Sequence, residues 1–166
     1  MAGTFLLIKG IKGKSRQTGR TDYLDVQSWN IGAHIHVDTD SSKGSLTTGQ
    51  SYLTDLTCSI TCDTSVVRQF AACLGGRHFP EAHLVVTKDV SKAQGTTTTV
   101  EFLNIDMEDV IISSNGLSGM TGSEPNLTIS VKCARYKMKY TLFNEKGDKV
   151  DQDVDGFDFP KHANWA

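Results

Sequence analysis

The run Leu127-Thr128-Ile129-Ser130-Val131-Lys132-Cys133-Ala134-Arg135-Tyr136-Lys137-Met138-Lys139-Tyr140-Thr141-Leu142 decides what kind of molecule this chain makes. Leu127, Ile129, Val131 and Cys133 alternate with polar neighbours, the period-two pattern of a strand buried on one face. After Ala134 the phase slips: Tyr136, Met138, Tyr140 and Leu142 become the apolar positions, while Arg135, Lys137 and Lys139 take the other face. A strand whose apolar face switches midway needs a bulge or a sharp twist, as at barrel corners and rims. Similar slips occur between Val100/Phe102 and Leu103/Ile105/Met107, and near Trp29. The predicted fold class is therefore mainly β, a small β-barrel with bent strands.

Two further segments alternate in the same way. Ile31, Ala33, Ile35 and Val37 interleave with Gly32, His34, His36 and Asp38, and Leu56, Cys58, Ile60 and Cys62 interleave with Thr57, Ser59, Thr61 and Asp63. Both read as half-buried strands. One helix interrupts them, with Val66, Val67, Phe70, Ala71 and Leu74 at helical spacing. Asp63, Thr64 or Ser65 supplies its cap and Gly75-Gly76 a left-handed stop, so a single α-helix flanks the barrel. Two polar stretches read as long loops, Asp38 to Gln50 and Ser113 to Pro125, and loops of that length in a compact domain are functional or disordered. Residues 145–166 are acidic and read as a loosely attached tail on a single domain spanning 1–166.

Composition excludes several classes of function. The 166 residues fit one domain with a core of its own. A formal net charge of −2 and a pI near 6.2 give no basic field, which argues against nucleic acid as a partner. The Phe5–Ile8 apolar run is far shorter than a secretory signal core, and no stretch is long enough to span a bilayer, so cytoplasmic synthesis without membrane insertion is expected. Four cysteines, Cys58, Cys62, Cys73 and Cys133, read as small buried hydrophobes in a reducing compartment.

The motifs that invite chemistry fail on context. Gly13-Lys14-Ser15 lacks the glycine five positions earlier that a phosphate loop needs, since position 8 is isoleucine. Asp151, Asp153, Asp155 and Gly156 begin like a calcium loop, but its closing twelfth position is His162 rather than glutamate, and Pro160 falls inside. His34 and His36 share a strand face without a third ligand. No Ser/His/Asp or Cys/His signature supports nucleophilic catalysis. Arg135, Lys137 and Lys139 project from one side of one strand, which reads either as a solvated face or as one looking across a subunit junction or into a channel, with the acidic 151–158 segment of a neighbour as counterpart.

Several stretches taken together resemble the Hcp family, the haemolysin co-regulated proteins of type VI secretion. They are Phe5–Ser15, Asp22–Gly32, the helix from Asp63 with Gly75-Gly76-Arg77-His78-Phe79-Pro80 after it, Val100–Ser114 and Glu124–Lys132. The resemblance implies a barrel of two sheets with a flanking helix, six subunits closing into a ring, and rings stacking into a hollow tube. It implies as partners the chain itself, a spike tip protein, a contractile sheath with its baseplate, and effector proteins held in the lumen. It implies assembly in the bacterial cytoplasm and export without a signal peptide, with no catalytic site, metal or cofactor; 166 residues leave no room for an appended toxin domain. It places Asp38, Thr39, Asp40, Ser41, Ser42, Lys43, Gly44, Ser45, Leu46, Thr47, Thr48, Gly49 and Gln50 as the extended loop that reaches a neighbouring subunit or ring. The competing reading from the residues is a solitary barrel that binds a small molecule in an apolar interior.

Overall fold

The computed structural model describes residues 1–40, 42, 44–92 and 95–165. They form β1 (Gly3–Ile8), β2 (Leu24–Asn30), β3 (Ala33–Asp40), β4 (Ser45–Leu53), β5 (Leu56–Thr61), α1 (Val66–Leu74), β6 (His78–Ser91), β7 (Thr97–Ser118), β8 (Asn126–Phe143), β9 (Lys149–Asp158) and β10 (Ala163–Asn164). Strands run in the order β8-β5-β2-β1-β6-β7, and β7 pairs back onto β8 to close a six-stranded antiparallel barrel. Closure leaves these strands no open edges. Leu6, Ile8, Leu24, Leu56, Cys58, Ile60, Leu84, Ile105, Val110, Ile112, Leu127, Ile129 and Val131 fill the interior, each at most 1% exposed. The inside of the barrel is thus a packed core and not a ligand chamber.

The expected phase slips are present, and each has its own physical form. Near Trp29, β2 advances two residues from Val26 to Ser28 while β5 advances one, so Gln27 is the extra residue of a bulge. Between Val86 and Thr87 of β6, β7 skips from Leu103 to Glu101, and Phe102 is the extra residue. The slip at Ala134 takes the second of the two expected forms, a twist without a bulge, and neighbouring strands share it. Register between β7 and β8 runs unbroken from Leu103↔Tyr140 to Val110↔Cys133, and three strands change face together. Buried positions pass from Ala82 to Phe79 in β6 and from Met107 to Val110 in β7, while on β8 the core-packing residues pass from Tyr136 to Cys133. Asp109, with φ 51°, takes up the turn in β7.

Because of this bend the long strands serve two purposes. One half of β8, from Asn126 to Val131, pairs with β5 in the barrel. Its other half, from Arg135 to Phe143, pairs with β9, and β10 joins β9 through Ala163 and Asn164. Most of the segment expected as a loose tail is therefore placed as sheet, in β9 and β10, with Ala166 outside the described residues, and the Asp151-Asp153-Asp155 row is strand where a calcium loop would need a turn. The Ser113–Pro125 loop is also shorter than expected. β7 continues to Ser118, and Ser113 itself is the bulge residue opposite Val131 and Ser130.

The helix forms where expected; of its apolar positions Val66 and Phe70 pack against the core, while Val67, Ala71 and Leu74 are exposed. Gln69 and Ala72 point inward, Gln69 donating to Ser65 Oγ at 2.7 Å, while Val67 and Leu74 are 73% and 87% exposed. Asp63 organises the entry by accepting Ser65 N–H and Lys14 N–H, so it ties the Gly/Lys loop to the helix start. The exit closes as a Schellman motif: Arg77 N–H reaches Ala72 O, Gly76 N–H reaches Cys73 O, and Gly76 carries φ 59°. Among the described residues no helix is long and apolar enough to cross a membrane.

Gly13 has a steric role in place of a phosphate-binding one. Its N–H donates to Asp22 O and Ser15 N–H to Tyr23 O, and a Cβ on Gly13 would sit 2.1 Å from the Tyr23 carbonyl oxygen. Gly13→Ala is expected to cost about 2 kcal/mol by forcing the loop off β2. Gly116→Ala, where a Cβ meets nothing within 4 Å, is the control and should change stability by less than about 0.5 kcal/mol. Urea unfolding of both variants checks this, and equal midpoints would refute the steric account.

Candidate assembly surface

Asp38 to Gln50 is the largest departure from the sequence reading. Most of the expected loop is strand: β3 and β4 form a two-stranded sheet separate from the barrel, paired from Ala33↔Leu53 to Asp40↔Ser45. Ser41 and Lys43 lie outside the described residues. At the tip, Asp40 Oδ1 accepts from Ser42 N–H and Oγ, and Gly44 N–H reaches Asp40 O with φ 61°. β4 carries an extra residue between Ser51 and Thr48, where a Cβ on Gly49 would lie 3.3 Å from that of His36. The segment reads as loop because Ser45-Leu46-Thr47-Thr48-Gly49-Gln50 has no apolar period, yet its threonines suit a solvated strand.

The alternation in β3 is real, but among the described residues its apolar side is left largely in solvent. Ile35, Val37 and Leu46, which share one face of the hairpin, are 44%, 45% and 70% exposed. On the opposite face His34 stacks on Tyr52 with ring centroids 5.1 Å apart, and His36 Nε2 lies 3.1 Å from Asp38 Oδ1. The two histidines are thus held by an aromatic ring and a carboxylate. Among the described residues no group of three or more His, Cys, Asp or Glu side chains is placed to hold a metal ion. At the base of the hairpin a depression of about 260 Å³ is lined by His34, Tyr52, Tyr136, Phe157 and Phe159.

The Arg135/Lys137/Lys139 face is engaged largely within its own chain. Arg135 Nε and Nη2 both lie 3.1 Å from Glu108 Oε2, and its Nη1 is 3.9 Å from the buried Asp158. The Trp165 ring lies against the Arg135 guanidinium at 5.9 Å and the Lys137 ammonium at 4.8 Å. Asp158, expected as a counterpart from a neighbour, is thus an intrachain partner of Arg135. One strand further, His83 Nδ1 sits 2.7 Å from Asp106 Oδ1, and its Nε2 is 3.6 Å from Glu81, which also pairs with Lys9. Sequence patterning found the basic row and missed its acids, because cross-strand register brings together residues far apart in the chain.

This network sets two titrations. The hydrogen bond to Asp106 raises the His83 pKa, outweighing burial, and Glu81 adds to the rise. Asp106 is lowered, first by the His83 bond and then by attraction to His83, Lys139 and Lys137, against a burial penalty. Burial alone pushes the Cys58 thiol up to about 12, and burial reinforced by Asp55 does the same for Cys133. All four cysteines are unbridged; Cys58 is buried while Cys62, Cys73 and Cys133 are half-buried.

The structural class is a filled β-barrel bearing a detached, partly apolar hairpin. A model of the family described as "Type VI secretion system effector, Hcp" matches residues 5–140, and the chain belongs to the Hcp family. It is similar to Protein hcp1 of Pseudomonas aeruginosa, 29% identical over 147 residues that cover 87% of this chain and 86% of that one. Among solved structures, one described as a type six secretion system protein superposes with a TM-score of 0.87 at 19% identity, covering 99% of this chain and all of that one. Hcp1 from Salmonella typhimurium gives 0.76 at 24% identity, with 99% and 100% covered. At those identities the superpositions establish the fold.

Because the folded His83 pKa is raised, its contribution is fully present below the ordinary histidine value of 6.5 and fades as pH climbs through the raised one. The wild type should exceed His83→Gln by about 1 kcal/mol near pH 6, allowing for solvent screening, and by less as pH increases. Melting both proteins between pH 5.5 and 9 checks this; a gap that widens with pH would overturn the assignment.

Proposed function

We propose that this chain is the structural subunit of a type VI secretion inner tube, closing as a homohexameric ring that stacks into a hollow tube. The observation that carries this reading is the hairpin β3–β4, which forms a sheet with Ile35, Val37 and Leu46 on one side, left largely in solvent among the described residues. Apolar strand faces of this kind are stabilised when another surface removes them from water, at about 25 cal/mol per Å². The filled barrel interior favours a structural role over a ligand carrier. In this proposal the tube is assembled on a baseplate inside a contractile sheath, carries a spike protein at its tip, and shelters effector proteins in its lumen. The Asp38–Gln50 part of the hairpin reaches the neighbouring subunit or ring. Arg135, Lys137 and Lys139, with their acidic partners, form a polar wall at a junction or channel. Export follows cytoplasmic assembly, with no signal peptide required, and no catalytic step belongs to the chain.

Light scattering after size exclusion, with negative-stain images of the same peak, tests the assembly. A sixfold mass with hollow rings is expected at micromolar concentration, and a clean monomer at tens of micromolar would overturn the reading. Ile35→Asp with Val37→Asp should raise the dissociation midpoint of the ring at least about tenfold, equivalent to about 1.4 kcal/mol. The circular dichroism spectrum should stay that of the wild type. Unchanged assembly by this variant would remove the hairpin from the interface.

A further inference from the structure

Two exposed surfaces at opposite ends of the long strands are mutually complementary. The first is the outer face of α1, where Val67, Ala71 and Leu74 recur at helical spacing in solvent. Beside them stand Arg68 and Arg77, which line a hollow of about 470 Å³ between the helix and the Gly10–Ile11 turn. Arg68 has no ion-pair partner among the described residues, and Arg77 has only the Phe79 ring at 5.1 Å. The second surface is the free margin of the extended sheet. Tyr140 and Leu142 of β8 are 50% and 48% exposed, and directly opposite them on β9 stand Asp153 and Asp151. Each carboxylate uses Oδ1 to accept the next backbone N–H, and among the described residues no cation pairs with either.

Both surfaces combine exposed apolar side chains with unpaired charge, of opposite sign. They cannot meet within one chain. α1 runs into β6 where His78 pairs with Ile111, whereas Tyr140 pairs with Leu103, eight residues away along β7. That separation amounts to roughly 25–30 Å along the strands. Two different complementary patches on one molecule produce head-to-tail association, which closes into a ring or continues as a filament according to the rotation. The opposite charges also select against head-to-head and tail-to-tail encounters.

We propose that the α1 face of one copy docks on the β8–β9 margin of the next, with Arg68 and Arg77 meeting Asp151 and Asp153 around an apolar centre of Val67, Leu74, Tyr140 and Leu142. The proposal rests on the self-association reading above and names a contact for it, distinct from the hairpin. The test uses the full chain with charges reversed. Arg68→Glu with Arg77→Glu, and separately Asp151→Arg with Asp153→Arg, are each expected to shift assembly at least tenfold to higher concentration. Each should retain the wild-type circular dichroism, because none of the four side chains holds an ion pair among the described residues; loss of the Arg77–Phe79 ring contact or of the Asp151 and Asp153 backbone bonds should lower the melting temperature by no more than a few degrees. The chain carrying all four reversals should recover assembly to within threefold of the wild type, and an equimolar mixture of the two double variants should form species of alternating composition. A wild type that assembles while every reversal assembles equally well would overturn this contact and leave the ring reading intact. Reversals that weaken assembly without rescue in the fourfold variant would overturn the pairing. A wild type that stays monomeric would overturn both.

Discussion

The bend that β6, β7 and β8 make together at Phe79–Ala82, Met107–Val110 and Cys133–Tyr136 is the constraint on which the rest of the molecule depends. Below it, β8 faces β5 and completes a closed barrel; above it, the same strand offers its margin to β9. A register shift in one strand would have displaced the side chains of that strand relative to its neighbours. Here the register is kept, and the change of face is carried by twist, with the left-handed Asp109 as its pivot and His78 Nδ1 at 2.8 Å from its carboxylate. Apolar residues stay inside on both sides of the bend, so one continuous core supports two differently shaped halves.

How much of this the sequence disclosed follows from what each element buries. β5 and the first half of β8 are legible from alternation alone, because one face of each is wholly inside and the other is not. The slips at Gln27 and Phe102 are legible for the same reason, since a bulge must reset the period to keep apolar side chains in the core. The hairpin is legible only in its β3 half. β4 has no core to fill, so selection for an apolar period is absent and its Ser, Thr and Gly content reads as loop. β9 is hidden by its aspartates, which are depleted in strands in general yet here cap the backbone of an exposed margin. The helix shows a related ambiguity: periodicity located it correctly, but Gln69 is buried and Val67 exposed, a polarity no hydrophobic pattern would assign.

The candidate surface was legible in kind more than in detail. The basic row on β8 stands out in the chain, whereas Glu108, Asp106, His83 and Trp165 join it only through pairing across three strands and a short return at β10. Trp165 depends on Gly156 for its place: a Cβ there would come within 2.6 Å of the Trp165 carbonyl oxygen and 2.3 Å of that of Tyr136. One small residue in β9 thus lets Trp165 lie over Arg135 and Lys137.

The carboxylates of β9 have an effect on traffic between molecules. Gly156 N–H and C=O point away from β8, since its carbonyl receives Trp165 N–H, and Gln152 and Val154 share that outward direction by alternation. Asp151 and Asp153 occupy the outward donors of Gln152 and Val154, so an arriving strand finds carbonyls but no free N–H to pair with. Generic β-addition is blocked at that margin, as natural sheets arrange in other ways with lysine or proline. Self-association of such a chain, as proposed above, would have to run through chosen side-chain surfaces and not through backbone zippering at this margin, and the short acidic ladder supplies that refusal without a covering element.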